Sequence, residues 1–248
     1  MSEVLRVSGA TLVLFARTLR SIRREGLSFR QTLAQAYALG ASSALLVGMG
    51  MTFFGVVMTS IAYAQARKYV GNVTILGPAY FELIVREFAP MMTALLAASR
   101  SAAATSAELG AMSVNEQIEA LELSAADPIA ELVAPRLVAS VLSMPALSVI
   151  GIAAASISAA LSVTYLFHAD GWSFVDPRFL EPGDVLCAFV KSILCGAFIP
   201  LIASVRGFAA RGGAASVGDA VTLGVVGACM GCLVIDFLVA ASFLVIGL

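Results

Sequence analysis

Long stretches without charged residues constrain this chain more than any other feature of its sequence. After Arg30 the next charged residue is Arg67, which leaves 36 uncharged positions in a row. Between Arg136 and Asp170 there are 33 more, with His168 counted as neutral. A helix needs about 20 mostly apolar residues to cross the hydrocarbon core of a bilayer. Each stretch is therefore long enough for at least one membrane span.

The composition supports the same conclusion. Of the 248 residues 60% are hydrophobic and only 12% are charged, about half the roughly 25% charged residues of a soluble domain. Mean hydropathy is +0.95. The formal net charge of −1 provides no general attraction to nucleic acid. These values exclude an ordinary soluble protein, a disordered chain and a nucleic-acid-binding protein, and they indicate an integral membrane protein.

The apolar runs lack the alternation of barrel strands, so we predict an all-α membrane protein. Residues 1–248 form one domain, and residues 39–246 form its transmembrane bundle of about five helices. If the N-terminus is cytoplasmic, ten basic residues lie on the inner side and four on the outer side, with Lys191 inside the membrane. This asymmetry predicts a cytoplasmic N-terminus and, after five spans, an outer C-terminus. The predicted spans cover residues 39–64, 84–105, 132–166, 185–206 and 220–246.

Residues 1–30 have the pattern of an amphipathic helix. At 100° per residue, apolar side chains such as Leu12 and Leu19 share one face, and Arg17 and Arg20 lie opposite. This pattern predicts an interfacial helix that lies along the cytoplasmic leaflet with its arginines near lipid phosphates. The alternative is a helix that packs on a soluble partner.

The segment between the second and third predicted spans is acidic. Residues 107–131 contain six acidic residues and no basic residue. Ile118 and Leu121 fall on one helical face, and Asp127-Pro128 is a typical end of one helix and start of the next. We predict a short inner-side helix with an acidic face. It either docks on a partner or is a solvated loop helix without one.

Several of these segments together resemble the MlaE/YrbE permease family, in order over roughly residues 35–245. The longest, from Arg86 to Met112, reads R-E-F-A-P-M-M-T-A-L-L-A-A-S-R-S-A-A-A-T-S-A-E-L-G-A-M. The other similar segments are Asn115–Leu121, Asp127-Pro128, Arg211–Gly218 and Asp236-Phe237.

The resemblance implies the permease subunit of an ABC transporter in the bacterial inner membrane. Family members form homodimers and work with MCE-domain proteins on phospholipids and other lipids. The expected partners are therefore a lipid substrate, a second copy of the chain, a cytoplasmic ABC ATPase, an MCE-domain protein on the outer side and a small ATPase-associated regulatory subunit. Residues 107–128 would contain the coupling helix that docks into the ATPase. The residues that match this motif are Glu108, Gly110, Met112, Glu116, Gln117 and Asp127.

The chain has no recognisable ATP site of its own. A phosphate-binding loop needs a glycine-rich turn before Lys and Ser/Thr, but the residues before Lys191-Ser192 contain no glycine. We therefore expect no enzyme activity and no cofactor on this chain, with ATP and Mg²⁺ bound by the partner ATPase. Cys229 and Cys232 have C-x-x-C spacing inside an apolar span. We interpret them as buried free thiols, and we predict no metal site.

Four charged residues fall within the predicted spans, where ionisable groups are costly and usually functional. They are Arg86, Glu87, Lys191 and Asp236, and the family resemblance implies functional charges at these positions. We hypothesise that Arg86 and Lys191 meet a lipid phosphate in a cavity between two protomers, while Glu87 and Asp236 keep both bases ionised and oriented.

The acyl chains would lie against apolar residues of the first, second and fifth spans, such as Phe53, Phe54, Met91 and Leu95. The alternative is a purely structural charge network. Two other functions compete with ATP-driven lipid transport: an ion-gradient-driven carrier with Asp236 as its ion site, and a scaffold that moves nothing.

Overall fold

A computed structural model describes residues 2–69, 76–172, 175, 176, 178 and 180–246. All regular secondary structure in these residues is helical, as predicted. The helices are α1 (Ser2–Glu25), α2 (Phe29–Ala36), α3 (Ser42–Tyr69), α4 (Leu76–Leu83), α5 (Ala89–Val114), α6 (Gln117–Leu123), α7 (Ala134–Phe167), α8 (Pro182–Phe208) and α9 (Ala214–Ile246). Three five-residue π-helical segments, Tyr37–Ala41, Ile84–Phe88 and Ile129–Val133, lead into α3, α5 and α7.

Within the described residues, four helical stretches are long and apolar enough to cross a membrane: Phe29–Lys68, Ile129–Phe167, Pro182–Phe208 and Ala214–Ile246. These contain four of the five predicted spans. The remaining predicted span, 84–105, is helical but is not among them. Its sequence contains Arg86, Glu87 and Arg100 together with many Ala, Ser and Thr residues, which lower its hydropathy.

Helix α5 nevertheless runs the full length of the bundle beside α8. At one end the Arg86 guanidinium contacts the Asp184 carboxylate. At the other end the Ser113 hydroxyl donates to the carbonyl of Ala210, just after α8. The two helices are therefore parallel and nearly equal in length. Contacts of Glu108 with Arg136 near the start of α7 show that α7 runs in the opposite direction.

The bundle thus has two distinct ends. The inner end, as we call it, carries α1, α6, the end of α8 and the start of α9. The outer end carries the ends of α3 and α7, where the rings of Tyr63 and Phe167 stack with centroids 4.1 Å apart. Five full-length helices alternate in direction between these ends, which is the arrangement predicted for five spans.

Small residues allow these helices to pack closely. A Cβ atom on Gly55 would lie 2.5 Å from the carbonyl oxygen of Ala155, so α3 and α7 are in backbone contact there. In α9, Gly227 and Gly231 face side chains of α8, Ile202 and Phe198. The low hydropathy of α5 has the same origin, because its buried residues are mostly Ala, Ser and Thr. Close packing by small residues is typical of membrane helices.

Helix α1 presents three faces at the inner end. Its buried face includes Leu14 and Thr18, and Leu14 packs with residues of α7 and α8. Leu12 is 70% exposed on one side of this face, and Arg17 is exposed on the other. The helix therefore packs on its own bundle, with an apolar side available to lipid and a basic side available to water and phosphates.

The short helix predicted between the second and third spans is present as α6. It ends at Leu123, earlier than Asp127-Pro128, because Ala125 adopts a left-handed conformation with φ of 60°. The Asp127 carboxylate accepts a hydrogen bond from the Ile129 N–H at 3.0 Å, so it caps the next helix as predicted. Its other oxygen accepts from the Ser21 hydroxyl at 3.1 Å, which ties α1 to this segment.

Candidate functional site

A buried lysine lies at the centre of a charge cluster in the outer half of the bundle. The Lys191 side chain on α8 is 1% exposed. Its ammonium group contacts the Glu87 carboxylate and forms an ion pair with Asp236 on α9, with Nζ 3.0 Å from Oδ1. Buried charges persist in proteins when they are paired, and here one cation is held by acids from two other segments.

A second base lies beside the first. The Arg86 side chain is 18% exposed; its Nη1 lies 3.1 Å from Asp184 Oδ1, and its Nε lies 3.6 Å from Glu87 Oε1. Asp184 is almost fully buried, and it also accepts a hydrogen bond from the N–H of Glu181 in the capping box that begins α8. One carboxylate therefore both starts α8 and orients Arg86.

The backbone of the π-helical segment contributes an acceptor to Lys191. Pro90 has no N–H, so the carbonyl four residues earlier, that of Arg86, lacks its usual donor within an α-helix. The Lys191 ammonium group donates to this carbonyl oxygen at 3.3 Å. Pro90 thus leaves free the backbone carbonyl of Arg86, in the π-helical segment, that accepts the hydrogen bond from Lys191.

The structure brings together all four intramembrane charges singled out by the sequence, and it adds a fifth. We define the charge cluster as Arg86, Glu87, Asp184, Lys191 and Asp236. It has two bases and three acids, so each base contacts two carboxylates and Glu87 is shared. Asp184 was missed because it follows Pro182 at the edge of an apolar run, where an acid is expected as a helix cap.

The four apolar residues predicted to line a lipid cavity are divided between two places. Phe53 is 68% exposed, in a groove between α3 and α7. Phe54 turns towards α5, and its ring centroid lies 5.5 Å from that of Phe88. Met91 and Leu95 are half-buried on one face of α5. Of the four, Phe54 is placed next to the charge cluster by its contact with Phe88, which follows Glu87, whereas Phe53 is exposed in a different groove.

An apolar cavity of about 300 Å³ lies next to the cluster, between α4, α7 and α8. Val85 and Ala188, close in sequence to the two bases, line it together with Ile152 and Phe189. Its lining differs from that of the predicted cavity, which involved the first, second and fifth spans.

The six residues of the predicted coupling motif occupy different environments at the inner end. Glu116 and Gln117 are exposed at the start of α6, and Asp127 is partly buried at its far side. Gly110 is buried within α5, where a Cβ atom would lie 3.3 Å from Val217 of α9. Its role in the structure is close packing of two helices.

Glu108 and Met112 lie on α5, before α6 begins. The Glu108 carboxylate forms an ion pair with the buried guanidinium of Arg136, with a separation of 2.7 Å. Sequence reasoning treated Arg136 only as an inner-side charge and did not find this partner. Met112 lines a groove on one flank of α6 with Gln117 and Leu121.

A larger polar cavity, of about 670 Å³, lies on the other flank of α6. Its walls include Glu119 and Glu122 from α6, Arg17 from α1, and Arg211 from the loop after α8. The acidic face predicted for this helix therefore opens into a cavity that α1 helps to form.

Together these features define a class: a multi-pass α-helical membrane protein with buried charges in its bundle and an exposed helix between two long spans. The family model described as Permease MlaE matches residues 32–242. The chain belongs to the MlaE permease family, as its sequence motifs indicated.

Three relatives illustrate the range of the family. The chain is 31% identical over 216 residues to the intermembrane phospholipid transport system permease protein MlaE of Haemophilus influenzae, covering 86% of this chain and 82% of that protein. It is 32% identical over 199 residues to a probable ABC transporter permease protein of Synechocystis sp., covering 79% and 75%. It is also 32% identical over 217 residues to the chloroplastic protein TRIGALACTOSYLDIACYLGLYCEROL 1 of Arabidopsis thaliana, covering 87% of this chain but only 62% of that protein.

Proposed function

We propose that this protein is the membrane-spanning permease subunit of an ABC transporter that moves phospholipid or a related lipid between the inner membrane and an MCE-domain protein. The observation that carries the proposal is the charge cluster: two cations held inside an otherwise apolar bundle, one of which, Arg86, lies just before the helix α5 that leads to the exposed α6. The name of the Haemophilus relative, which specifies phospholipid transport, supports the substrate class.

The cluster has the chemistry to bind a phosphate headgroup. Arg86 is the more exposed base, so a phosphate oxygen would meet it first and compete with Glu87 for its guanidinium. Lys191 becomes available to the same phosphate only when the Glu87 carboxylate moves aside, because that carboxylate covers it. Hydrocarbon then lies along apolar surface beside the cluster, including Phe54, Met91 and Leu95.

The proposal includes a second copy of the chain. Only 11% of the most apolar stretch of α9 is buried within one chain, compared with 56% for α8. Met91 and Leu95 on α5 are also only half-buried within one chain. In a homodimer, a second copy covers part of this surface and closes a cavity around the two bases.

The energy source in this proposal is a cytoplasmic ATPase that binds ATP and Mg²⁺ and docks on α6. The N-terminus is then cytoplasmic and the C-terminus lies outside. The groove beside Met112 and the polar cavity beside Glu119 flank α6 on both sides. A partner that docks on α6 therefore has a surface to contact on each side of the helix. An MCE-domain protein on the outer side and a small regulatory subunit on the ATPase complete the assembly.

Purification in mild detergent tests the partners. We expect an ATPase and an MCE-domain protein to be recovered with the chain, and ATP to drive transfer of fluorescent phosphatidylglycerol from proteoliposomes. Transport that proceeds without an ATPase and follows an imposed proton or sodium gradient would instead support the carrier reading, with Asp236 as the ion site.

Substitutions in the cluster test the lipid site. We expect Arg86→Ala and Lys191→Ala each to reduce ATP-driven phosphatidylglycerol transfer by about tenfold or more, because a charge-assisted hydrogen bond contributes about 1.5–3 kcal/mol. The matched control is Arg178→Ala, since Arg178 is 88% exposed in the outer loop and pairs only loosely with Asp176. Normal transfer rates in both cluster variants would overturn the lipid site.

A further inference from the structure

A second ion pair, of which only the base is buried, lies at the inner end of α5, about 32 Å from Glu87 at 1.5 Å per residue. The Arg136 side chain is 2% exposed, while that of Glu108 is 56% exposed. The Arg136 guanidinium reaches the Glu108 carboxylate at 2.7 Å through Nη2, and it donates to the carbonyl of Leu132 at 3.0 Å through Nη1. We call the Glu108–Arg136 pair the clamp.

The clamp joins the two helices that carry α6. Glu108 lies six residues before the end of α5, and Arg136 is the third residue of α7. The segment between these helices, including α6, lies at the inner end, where Asp127 is also bonded to Ser21 of α1. A force on α6 reaches α5 and α7 through these two connections, and the clamp bridges them at their base.

The burial of Arg136 makes the clamp hard to open. Its Nε is buried and has no hydrogen-bond partner in the described part of the chain, so the guanidinium depends on Glu108 and one carbonyl. Separation of the pair would leave a buried cation without its only carboxylate, which is strongly unfavourable. The C-terminal end of α5 and the N-terminal end of α7 are therefore held together as one unit.

Helix α5 connects this unit to the charge cluster. Next to the clamp, the Ser106 hydroxyl donates to the Ala203 carbonyl of α8 at 3.1 Å. Leu109 packs directly on Gly207, where a Cβ atom would lie only 2.7 Å away. At its other end, α5 begins at Ala89, two residues after Glu87. A displacement of α6 can thus be transmitted along a helix that is fixed at both ends.

We propose that Glu108 and Arg136 are positioning residues that convert movement of α6 into joint movement of α5 and α7, and so set how much lipid moves per ATP hydrolysed. This inference rests on the proposed function. Coupling of this kind requires a rigid element that both sites bias. Glu108 acts here through Arg136, inside the same chain, and not by contact with the ATPase.

The test is the ratio of phosphatidylglycerol transferred to ATP hydrolysed, measured for the permease reconstituted with its co-purified ATPase. We expect Glu108→Ala to retain the ATPase and most of its hydrolysis rate but to lower this ratio by about fivefold to tenfold, in the range of measured coupling energies. Arg136→Gln is expected to behave similarly. The double variant Glu108→Arg with Arg136→Glu should recover most of the ratio.

Glu131→Ala is the matched control, since Glu131 is an exposed acid at the same end with no ion pair among the described residues. An unchanged ratio in Glu108→Ala would overturn the clamp, as would a proportional fall of transfer and hydrolysis in that variant. Glu108→Ala leaves the buried Arg136 guanidinium without this carboxylate, so the variant Glu108→Gln with Arg136→Gln, which removes both charges, decides the question if the other variants do not assemble. A wild-type complex that hydrolyses ATP and moves no lipid would overturn the proposed function itself.

Discussion

The charge cluster and the clamp occupy opposite ends of α5, and they differ in how their charges are shared. In the cluster, each of two bases contacts two carboxylates, and Glu87 serves both. In the clamp, Arg136 has one carboxylate and a single carbonyl. A shared carboxylate can separate from one base while it stays paired with the other, whereas Arg136 has no second carboxylate among the described residues. The outer end is therefore suited to exchange its contacts with a ligand, and the inner end to transmit force.

Removal of the central cation should have the largest effect on stability. Lys191→Ala leaves the carboxylates of Glu87 and Asp236 in a buried site without their common partner. We expect a loss of about 3–5 kcal/mol in the free energy of unfolding, the usual cost of breaking a buried ion pair. Denaturation with sodium dodecyl sulfate in mixed micelles measures it.

Lys68→Ala is the matched control, because Lys68 is the only other lysine and is exposed at the end of α3. We expect a change of about 0.5 kcal/mol or less for this exposed site. If both variants unfold at the same detergent concentration, the cluster contributes little to folding. The proposed difference between an adaptable outer end and a rigid inner end would then have no support from the stability of the cluster.

The cluster was largely predictable from the sequence because each of its central charges interrupts an apolar run. Arg86, Glu87, Lys191 and Asp236 are conspicuous for this reason. Asp184 is not, since it lies where an apolar run begins and a capping acid is ordinary. Only the fold shows that α5 and α8 start side by side, which places Asp184 against Arg86.

The inner end was less predictable, because its contacts join residues that look unremarkable alone. Arg136 stands at the edge of an apolar run, like many basic residues that flank membrane spans. Its burial depends on how α7 packs against the other helices, and its partner Glu108 comes from α5. The same packing explains why α5 is poorer in large apolar residues than the other four long helices: its neighbours are helices on several sides, and small residues fit there.

A glycine substitution tests how tightly the inner end is packed. Gly207→Ala would place a Cβ atom 2.7 Å from Leu109 Cβ and 3.3 Å from the carbonyl oxygen of Ser106. Because α5 and α8 must then separate next to the clamp, we expect a loss of about 1–3 kcal/mol in the free energy of unfolding. The same mixed-micelle titration measures it.

Gly218→Ala provides the comparison, because Gly218 is helical in α9 at the same end and a Cβ atom there meets nothing within 4 Å. Alanine is the better helix former by about 1 kcal/mol, so this variant should be neutral or slightly stabilising. Equal stability of the two variants would show that the inner end yields easily, contrary to the rigid transmission proposed for it.

The smallest expected effect concerns the stiffness of α6 itself. Its C-terminal turn has the hydrogen bonds of a Schellman motif, from Ala126 N–H to the Leu121 carbonyl and from Ala125 N–H to the Glu122 carbonyl. The position that normally holds glycine is Ala125, with φ of 60°. Ala125→Gly should therefore raise stability by about 0.5–1 kcal/mol, the left-handed penalty less the entropy of glycine. Ala120→Gly, inside α6, should lower it by about 1 kcal/mol. If both substitutions destabilise the protein equally, α6 does not end in this motif, and a force applied to it would be lost in a flexible turn before it reached the clamp.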